Sequence, residues 1–285
     1  MSGTISVVMP AYRAESHIGG AVRSVLAQTY ADWLLVIVSD DGQDYEAILA
    51  GQNIADRRLR FVSSGGVKSG VSAAKNAGFD AVTTDCVAIL DADDRFKPKK
   101  LERVMAALAD HAIVSTALDV TDTDGRSLRF VGAGPDCVLT AGEHKWVNFS
   151  MDSMIAWDRR RVDGRGDPKL PNMTDLDFLM RLYRTSATSF HIGEPLHEYV
   201  KQPNSASNAS GFTERMLLAK STLRERMARG EYPMADPGAV EGLDAFLDVS
   251  MAAEHAYPEA LAKNPALLFE DNIEPMLKRY RAAHS

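Results

Sequence analysis

The sequence has almost no cysteine and no long hydrophobic run, and both absences narrow what the protein can be. Cys86 and Cys137 are the only cysteines, and their spacing fits neither a metal site nor a redox motif. The longest unbroken aliphatic run, residues 34–38, is far too short to span a bilayer. No basic segment followed by an apolar one precedes Pro10, so we expect no secretory signal. These absences predict a soluble, cytoplasmic protein.

The charge distribution also excludes some classes of protein. The net charge is −7 and no basic stripe is present, which argues against nucleic acid as the main partner. No Gly-x-Ser-x-Gly segment occurs, so a hydrolase triad is not supported. With 45% hydrophobic residues in 285, the chain can bury a full core as one large domain, or as one domain with a helical extension. Nothing in the sequence indicates the oligomeric state.

One short apolar run ends abruptly in carboxylates. Residues 86–90 are typical of a buried strand in the middle of a parallel sheet, and Asp91, Asp93 and Asp94 follow at once. If the backbone stays extended there, Asp91 and Asp93 share one side and Asp94 takes the other. Two such carboxylates suit a hard divalent cation, Mg²⁺ or Mn²⁺. The alternative is an Asp-rich turn that ends the strand and caps a helix from about Lys97. This stretch alone leaves both interpretations open.

The first 110 residues alternate between strand and helix patterns. The predicted strands are 5–9, 34–38, 59–62 and 86–90, and the predicted helices are near 18–26, 44–55 and 71–79. This alternation predicts a parallel sheet with helices on its faces. Carboxyl ends of parallel strands meet at one edge, so we expect Asp40 and Asp41 to face the same crevice as Asp91 and Asp93. A cation, acceptors for a base or ribose, and the glycine-rich loop 65–70 suit a nucleotide diphosphate.

The regular alternation of strand and helix patterns ends after residue 110. We predict strands at 113–118, 128–131 and 154–157, the second of them in an antiparallel hairpin, a mobile loop at 164–171, a helix at 175–183, and two short strands near Phe190 and Val200. From Phe212 onward the patterns are helical, and we predict breaks at Pro233, Pro237, Pro258, Pro265 and Pro275.

Five ordered motifs give the chain a recognisable family resemblance. They are Pro10-Ala11-Tyr12, Ala27-Gln28-Thr29-Tyr30, Asp40-Asp41-Gly42, residues 70–78 and Leu90-Asp91-Ala92-Asp93-Asp94. Together they resemble the family 2 glycosyltransferases of the GT-A fold. The resemblance implies an α/β fold: a mostly parallel nucleotide-binding sheet flanked by helices, a small antiparallel region and a helical C-terminal extension. It implies a glycosyltransferase domain at 1–211, with a nucleotide-sugar half at 1–110 and an acceptor-side half at 111–211, and the extension at 212–285.

The resemblance also implies a chemistry. The donor would be a nucleotide sugar, UDP-linked because the family most often uses UDP, with Mn²⁺ or Mg²⁺ as cofactor and inversion at the anomeric carbon. Carried over by motif, the residues that bind the nucleotide sugar would be Pro10, Ala11, Tyr12, Glu15, Asp40, Asp41, Lys75, Asp91 and Ala92. Asp93, with Asp91, would hold the metal.

The second half matches the family pattern less closely. Family members usually place an acidic pair before a helix and use its second acid as general base, so Asp175 is the candidate base and Thr174 replaces the usual Glu. The alternative for Asp175 is a helix cap. Asp177 is the fallback base, expected to face solvent or to stabilise the first turn. Gln202 stands where many members have a His, which leaves the third metal ligand open, and Lys201 could instead neutralise the diphosphate.

Two other functions stay open. A metal-dependent nucleotidyltransferase would use similar acidic strand ends, although its Arg-bearing glycine loop is replaced here by residues 10–13. A catalytically silent nucleotide-sugar-binding module is hinted at by Thr174 and Gln202, but residues 91–93 argue against it. The expected acceptor is a glycan or a lipid-linked glycan. The basic segment 278–281 suits an anionic surface and predicts a peripheral contact with the inner face of the membrane.

Overall fold

Strands and helices alternate through the first part of the computed structural model, which describes residues 3–150, 154–201 and 211–284. The elements are β1 (Ile5–Ala11), α1 (Ile18–Leu26), β2 (Trp33–Ser39), α2 (Tyr45–Gly51), β3 (Leu59–Ser63), α3 (Val71–Ala81), β4 (Cys86–Ile89), β5 (Arg95–Phe96) and α4 (Lys100–Leu108). The predicted order of elements is confirmed here except for β5, which was not predicted. Helix α2 ends earlier than expected and α4 begins later.

The second part mixes short strands with helices and ends in helices alone. Its elements are β6 (Ile113–Thr121), β7 (Ser127–Val131), β8 (Cys137–Thr140), α5 (Ala141–Val147), β9 (Ala156–Asp158), α6 (Thr174–Leu182), β10 (Thr188–Val200), α7 (Phe212–Ala228), α8 (Ala239–Lys263) and α9 (Phe269–His284). Strand β8 and helix α5 were not predicted, because the capping box of Thr140 and Glu143 is too short a signal to identify a helix of seven residues.

The strands form one sheet in the order β3-β2-β1-β4-β9-β6-β10-β5, with β7 added to β6 and β8 added to β10. Strands β3, β2, β1 and β4 run parallel, as β6 and β10 do, whereas β5, β7, β8 and β9 pair antiparallel. The expected fold class, a mostly parallel sheet flanked by helices with a small antiparallel region, is confirmed.

Both faces of the sheet are covered, which explains why its central strands are apolar without alternation. Along β1, Ile5, Val7 and Met9 join a core with α1, α2 and α4, while Val8 joins the core on the other face. That second core contains residues of α3 and α6 and also of α7, α8 and α9. Helix α3 approaches β1 closely because residue 78 is glycine: a Cβ there would lie 2.4 Å from Val8 Cγ1.

Two of the predicted helix breaks are wrong. Helix α8 runs through Pro258 and α9 runs through Pro275, whereas the breaks near Pro233, Pro237 and Pro265 are confirmed. Both prolines within helices are exposed. The carbonyl that loses its donor to Pro275 belongs to the exposed Asp271, where water can bind it, whereas the one that loses its donor to Pro258 belongs to the buried Glu254. Packing of buried residues on each helix outweighs the lost hydrogen bond.

The last strand is a single element. Strand β10 spans thirteen residues where two short strands were expected near Phe190 and Val200. Its pairing with β6 shifts register on either side of Pro195. A bulge of this kind absorbs a proline that a regular ladder excludes, so the sequence suggested a break and the structure has an irregularity instead.

Candidate active site

The acidic segment after β4 forms a turn. Strand β4 ends at Ile89, and the Asp94 N–H donates to the Asp91 carbonyl at 3.1 Å, so the backbone is not extended past Leu90 as the alternation argument assumed. Helix α4 begins at Lys100 without a side-chain cap, so none of the three aspartates caps it. The capping alternative is therefore wrong, and the turn leaves Asp91 and Asp93 on a shared cavity.

Asp94 points into the protein and fixes this turn from behind. Its carboxylate accepts a hydrogen bond from the Val200 N–H at 3.0 Å and lies 3.1 Å from His197 Nε2, and Lys100 Nζ lies 3.2 Å from the other ring nitrogen of His197. Burial, reinforced by the neighbouring aspartates, raises the pKa of Asp94 well above its ordinary value. Burial likewise lowers the pKa of His197 and of Lys100. The network fastens the turn to the last strand and to α4.

A cavity of about 360 Å³ opens beside the turn, at the carboxyl ends of β1, β2 and β4. It is lined by Pro10, Ala11, Tyr12, Arg13, Ala14, His17, Asp40, Lys68, Gly70, Val71, Ala74, Asp91, Ala92 and Asp93. Seven of the residues assigned from the sequence to donor or metal binding lie on it. Asp41 and Glu15 line an adjoining crevice, which shares Tyr12 and Arg13 with this cavity. We call the cavity beside the turn the donor-side cavity.

Asp40 shapes the glycine-rich loop. Its buried carboxylate accepts hydrogen bonds from Ser64 Oγ at 2.6 Å and from the N–H groups of Ser69 and Gly70 at 2.9 and 3.1 Å. Lys68 and Gly70 both have left-handed backbone conformations, with φ of 59° and 98°. Since backbone strain of this kind needs supporting contacts, Asp40 holds the loop in the shape that borders the cavity.

Asp41 is held ionised by a ring of donors. It accepts from the Arg13 N–H at 2.5 Å, the Gln43 N–H at 3.1 Å, Tyr45 Oη at 2.8 Å and Ser39 Oγ at 3.2 Å. Burial acts to raise its pKa, but these hydrogen bonds outweigh it and leave the pKa of Asp41 below its ordinary value. Asp41 thereby fixes the segment that carries Tyr12 and Arg13.

Lys75 joins the acidic turn to the candidate base. Its Nζ lies 2.7 Å from Asp175 Oδ1 and 3.6 Å from Asp91 Oδ1. Burial acts to lower the pKa of Lys75, but the two carboxylates outweigh it and raise that pKa, so the side chain stays charged. Helix α6 begins at Thr174 and is preceded by Met173, so the helix-cap alternative for Asp175 is wrong. The Asp175 side chain keeps 29% of its surface exposed.

Asp177 is not available as a fallback base. It is fully buried and accepts hydrogen bonds from Tyr232 Oη at 2.6 Å, from the Asp167 N–H at 2.9 Å and from the Arg181 guanidinium. The expectation that it faces solvent or serves only the first turn is wrong, because a distant tyrosine completes its site. Asp177 ties α6 to the loop 164–171 and to the segment before α8.

The comparisons with known proteins agree with this geometry. Residues 6–188 match the model of Glycosyl transferase family 2. The chain belongs to this family. It is 28% identical over 208 residues to the putative teichuronic acid biosynthesis glycosyltransferase TuaG of Bacillus subtilis, covering 72% of this chain and 81% of TuaG. Across the first five relatives, the aligned share of the relative's length ranges from 36% to 81%.

Solved structures place this glycosyltransferase in the GT-A fold. Residues 1–349 of TarS from S. aureus, in complex with UDP-GlcNAc, superpose with a TM-score of 0.66 at 15% identity, covering 97% of this chain and 79% of that one. The mannosyltransferase PcManGT from Pyrobaculum calidifontis, in complex with GDP-Man and Mn²⁺, superposes with a TM-score of 0.56 at 15% identity, covering 99% and 87%.

The residues around the turn fit a divalent cation in part. Asp91 and Asp93 offer hard oxygen ligands. Asp93 is exposed, yet the protein around its carboxylate and the charge of Asp91 raise the pKa of Asp93, and a cation would relieve the repulsion between the two carboxylates. Within residues 3–150, 154–201 and 211–284, no three acidic, His or Cys side chains gather as a metal site. Gln202, which replaces the common His, lies outside the described residues. The two carboxylates would therefore hold a cation together with oxygens of the donor.

Three basic side chains of the donor-side cavity were missed from the sequence. Arg13, His17 and Lys68 line it, and none of them was assigned a role, although Arg13 directly follows the motif 10–12 and Lys68 lies within the glycine-rich loop 65–70. Arg13 and Lys68 have positive φ values of 53° and 59°, which side chains other than glycine seldom adopt. Positive φ does not show in the sequence of a lysine or an arginine, so the only available signals were the position of Arg13 after the motif 10–12 and that of Lys68 in the glycine-rich loop.

Proposed function

We propose that this glycosyltransferase moves a sugar from a nucleotide-diphosphate sugar, a UDP-sugar, to a hydroxyl of a glycan or lipid-linked acceptor with inversion, in polysaccharide or glycoconjugate biosynthesis. The observation that carries the proposal is the convergence of Asp91, Asp93, Lys75 and Asp175 beside the donor-side cavity. The UDP-GlcNAc bound by TarS supports the donor class, and the role in teichuronic acid biosynthesis that the name of TuaG gives supports the process.

The donor-side cavity would take the nucleotide. Tyr12 and the strand end at Pro10 offer apolar surface to a base, and Arg13 and Lys68 place positive charge where a diphosphate would lie. The imidazole of His17 lines the same cavity and offers ring nitrogens for hydrogen bonding. Asp93 and Asp91 would hold Mn²⁺ or Mg²⁺, as the Mn²⁺ bound to PcManGT suggests for the related fold. A bound divalent cation supplies positive charge that stabilises a departing diphosphate.

Asp175 would act as the general base. Inversion requires the acceptor hydroxyl to attack the anomeric carbon from the side opposite to the leaving diphosphate and to lose its proton as the bond forms. Asp175 is partly exposed. Lys75 Nζ lies 2.7 Å from the Asp175 carboxylate and 3.6 Å from that of Asp91, so it holds the two carboxylates near each other. A carboxylate fixed in this way can take the proton without having to be oriented first.

The organisation of the chain follows the same proposal. Residues 1–211 would form the catalytic domain, with the nucleotide-sugar half at 1–110 and the acceptor-side half at 111–211, and residues 212–285 would form a helical extension. In the described part of the chain, no helix combines the length and the apolar character needed to cross a membrane. The basic segment 278–281 at the end of α9 would give a peripheral contact with the anionic inner face of the membrane from the cytoplasm.

A donor panel tests the proposal. The protein is incubated with UDP- and GDP-sugars and Mn²⁺, with and without glycan acceptors, and release of nucleoside diphosphate is assayed. We expect release from one UDP-sugar, dependent on Mn²⁺ and abolished by Asp93→Ala. Asp85→Ala is the matched control, because Asp85 is an exposed carboxylate just before β4, the strand that the acidic turn with Asp93 follows. Pyrophosphate release would indicate a nucleotidyltransferase, and donor binding without turnover a silent module. Unchanged transfer by Asp93→Ala would overturn the metal assignment.

A further inference from the structure

A second cavity, of about 460 Å³, lies where the end of β10 meets the C-terminal helices. Most of the residues that line it come from 199–270, beyond the region 6–188 that matches the family model. Its apolar walls combine aliphatic side chains with six aromatic ones: Phe149, Tyr199, Phe212, Phe246, Tyr257 and Phe269. The cavity is therefore a feature that the helices after residue 211 add to the catalytic sheet. We call it the helical cavity.

The helical cavity also contains charged groups buried in pairs. Lys220 Nζ lies 2.7 Å from Glu254 Oε1, and Lys201 Nζ lies 3.0 Å from Glu270 Oε1. Ser150 Oγ donates to the same Glu270 oxygen at 2.9 Å. Amphipathic walls with fixed charges favour a ligand that has both apolar faces and hydroxyl groups over a purely apolar one.

Glu270 lines the helical cavity, and one of its carboxylate oxygens lacks a donor among the described residues. Glu270 is 3% exposed, and its Oε2 has no hydrogen-bond partner among the described residues. The hydrogen bonds from Ser150 and Lys201 both go to the other oxygen, Oε1. Burial acts to raise the pKa of Glu270, but Lys201 and the hydrogen bonds outweigh it and lower that pKa, so the group is ionised. A buried, ionised oxygen without a donor is costly, and a ligand hydroxyl would remove the cost.

The helical cavity borders the candidate reaction centre. Met173 lines it and stands two residues before Asp175. Tyr199 and Lys201 line it too, and they flank Val200, whose N–H binds Asp94 of the acidic turn. Two residues of extended chain span about 7 Å at most, so the Cα atoms of Met173 and Asp175 lie no farther apart than that. It shares no lining residue with the donor-side cavity.

We propose that the helical cavity binds a saccharide unit of the acceptor, with a sugar hydroxyl donating to Glu270 Oε2 and an aromatic wall packed against the apolar face of the ring. This inference rests on the proposed function and deepens it by giving the extension the role of holding the acceptor. A lipid chain alone would leave Glu270 Oε2 without a donor, so the orphan oxygen favours the sugar over the chain.

Blocking the mouth of the cavity tests the site. Ala266 is exposed and lines the cavity, so Ala266→Trp should fill it without disturbing the core, whereas Ala262→Trp places the same side chain on an exposed position outside it. Binding of a panel of methyl glycosides to the full-length protein is followed by saturation-transfer NMR, with farnesyl phosphate as the apolar probe. We expect at least one glycoside to bind, its signal to be lost in Ala266→Trp, and the signal to be kept in Ala262→Trp.

Glu270→Gln tests the assigned oxygen with little change in shape. We expect binding of the glycoside to weaken by about tenfold or more, as for a lost hydrogen bond to a charged group. Asp271→Asn changes the adjacent exposed carboxylate, which pairs with Arg129, and should bind the glycoside as the wild type does. The assignment would be overturned if no glycoside bound, or if all variants bound the glycoside equally well. It would also be overturned if farnesyl phosphate bound at the site and no glycoside did. Donor hydrolysis without acceptor, measured in parallel, stays at the wild-type level if only this inference fails and is absent if the proposed function fails.

Discussion

The two cavities are built in different ways. In the donor-side cavity, acidic side chains at strand ends accept hydrogen bonds from backbone N–H groups, as Asp40 does from those of Ser69 and Gly70. In the helical cavity, charged side chains pair with each other across helices, as Lys220 does with Glu254. The first arrangement depends on loops near in sequence to the strands they follow. The second depends on how α7, α8 and α9 pack, so it can change while the sheet and its acidic turn stay the same.

The largest expected effect separates chemistry from binding on the donor side. Asp175→Asn should lower the rate of sugar transfer by about 10²- to 10⁴-fold, because the acceptor loses its proton acceptor, while donor affinity changes little. Transfer rate and UDP-sugar affinity are measured on the same preparations. Asp163→Asn, an exposed carboxylate of the preceding loop, is the control and should keep full activity. Wild-type turnover by Asp175→Asn would move the base to another residue.

The second prediction tests the ion pairing of the helical side. Lys220→Met leaves Glu254 buried without a partner and should lower the free energy of unfolding by about 3 kcal/mol. The double variant Lys220→Met with Glu254→Leu removes both charges and should recover most of that loss. Urea unfolding of the four proteins of the cycle gives the coupling between the two residues. A single variant as stable as the wild type would show that the pair adds nothing to the helical packing.

The third prediction concerns Lys75, where the donor side meets the candidate base. Lys75→Met should destabilise the protein by about 2 kcal/mol, less than a fully buried pair because Asp91 and Asp175 keep 25% and 29% of their side-chain surface exposed. The folded-state pKa of Lys75 is raised, so its contribution is fully present below the unfolded pKa of about 10.4 and is lost only above it. The stability difference should therefore stay constant from about pH 6 to pH 10. Lys99→Met, at an exposed lysine, should show no such difference.

The smallest expected effect is acid-dependent. The folded-state pKa of Asp41 is lowered, so it contributes stability above its unfolded pKa of about 3.9 and loses that contribution as the pH falls through the folded value. Asp41→Asn should lower the free energy of unfolding by about 1 kcal/mol at pH 7, and the two proteins should converge in acid. Thermal unfolding as a function of pH measures this, with Asp32→Asn, at an exposed position, as the control. Parallel curves for wild type and Asp41→Asn would contradict the hydrogen-bond account.

The two cavities also differ in how much of each could be predicted from the sequence. The strands that end before Asp40 and Asp91 were predicted because buried parallel strands are continuous apolar runs and the turns that follow them are local. The ion pair of Lys75 with Asp175 joins residues 100 positions apart, and no local pattern encodes it. Asp177 was misjudged for the same reason, since the partner that buries it, Tyr232, lies 55 residues away. The site roles of these residues stay predictions that the variants above test.

The helical cavity shows the same limit more strongly. The helices that line it differ in how sharply their apolar residues gather on one face, weakly in α7 and more clearly in α9, and such a pattern does not predict what a buried face meets. Close contact between α5 and α8 depends on Gly142 and Gly242, where a Cβ at residue 242 would lie 2.6 Å from the Gly142 carbonyl oxygen. Such a contact depends on two glycines that each look, in sequence, like a weak point in a helix.

The hydrogen bond from Val200 to Asp94 has a consequence for biosynthesis of the protein itself. It spans 106 residues and, with His197, ties the acidic turn to the end of the last strand. During translation the N-terminal strands and helices can pack early, but the turn gains its anchor only after residue 200 has left the ribosome. A nascent chain therefore completes its acidic turn late, and we expect a fragment ending before β10 to fold around its first four strands without a fixed Asp91 and Asp93.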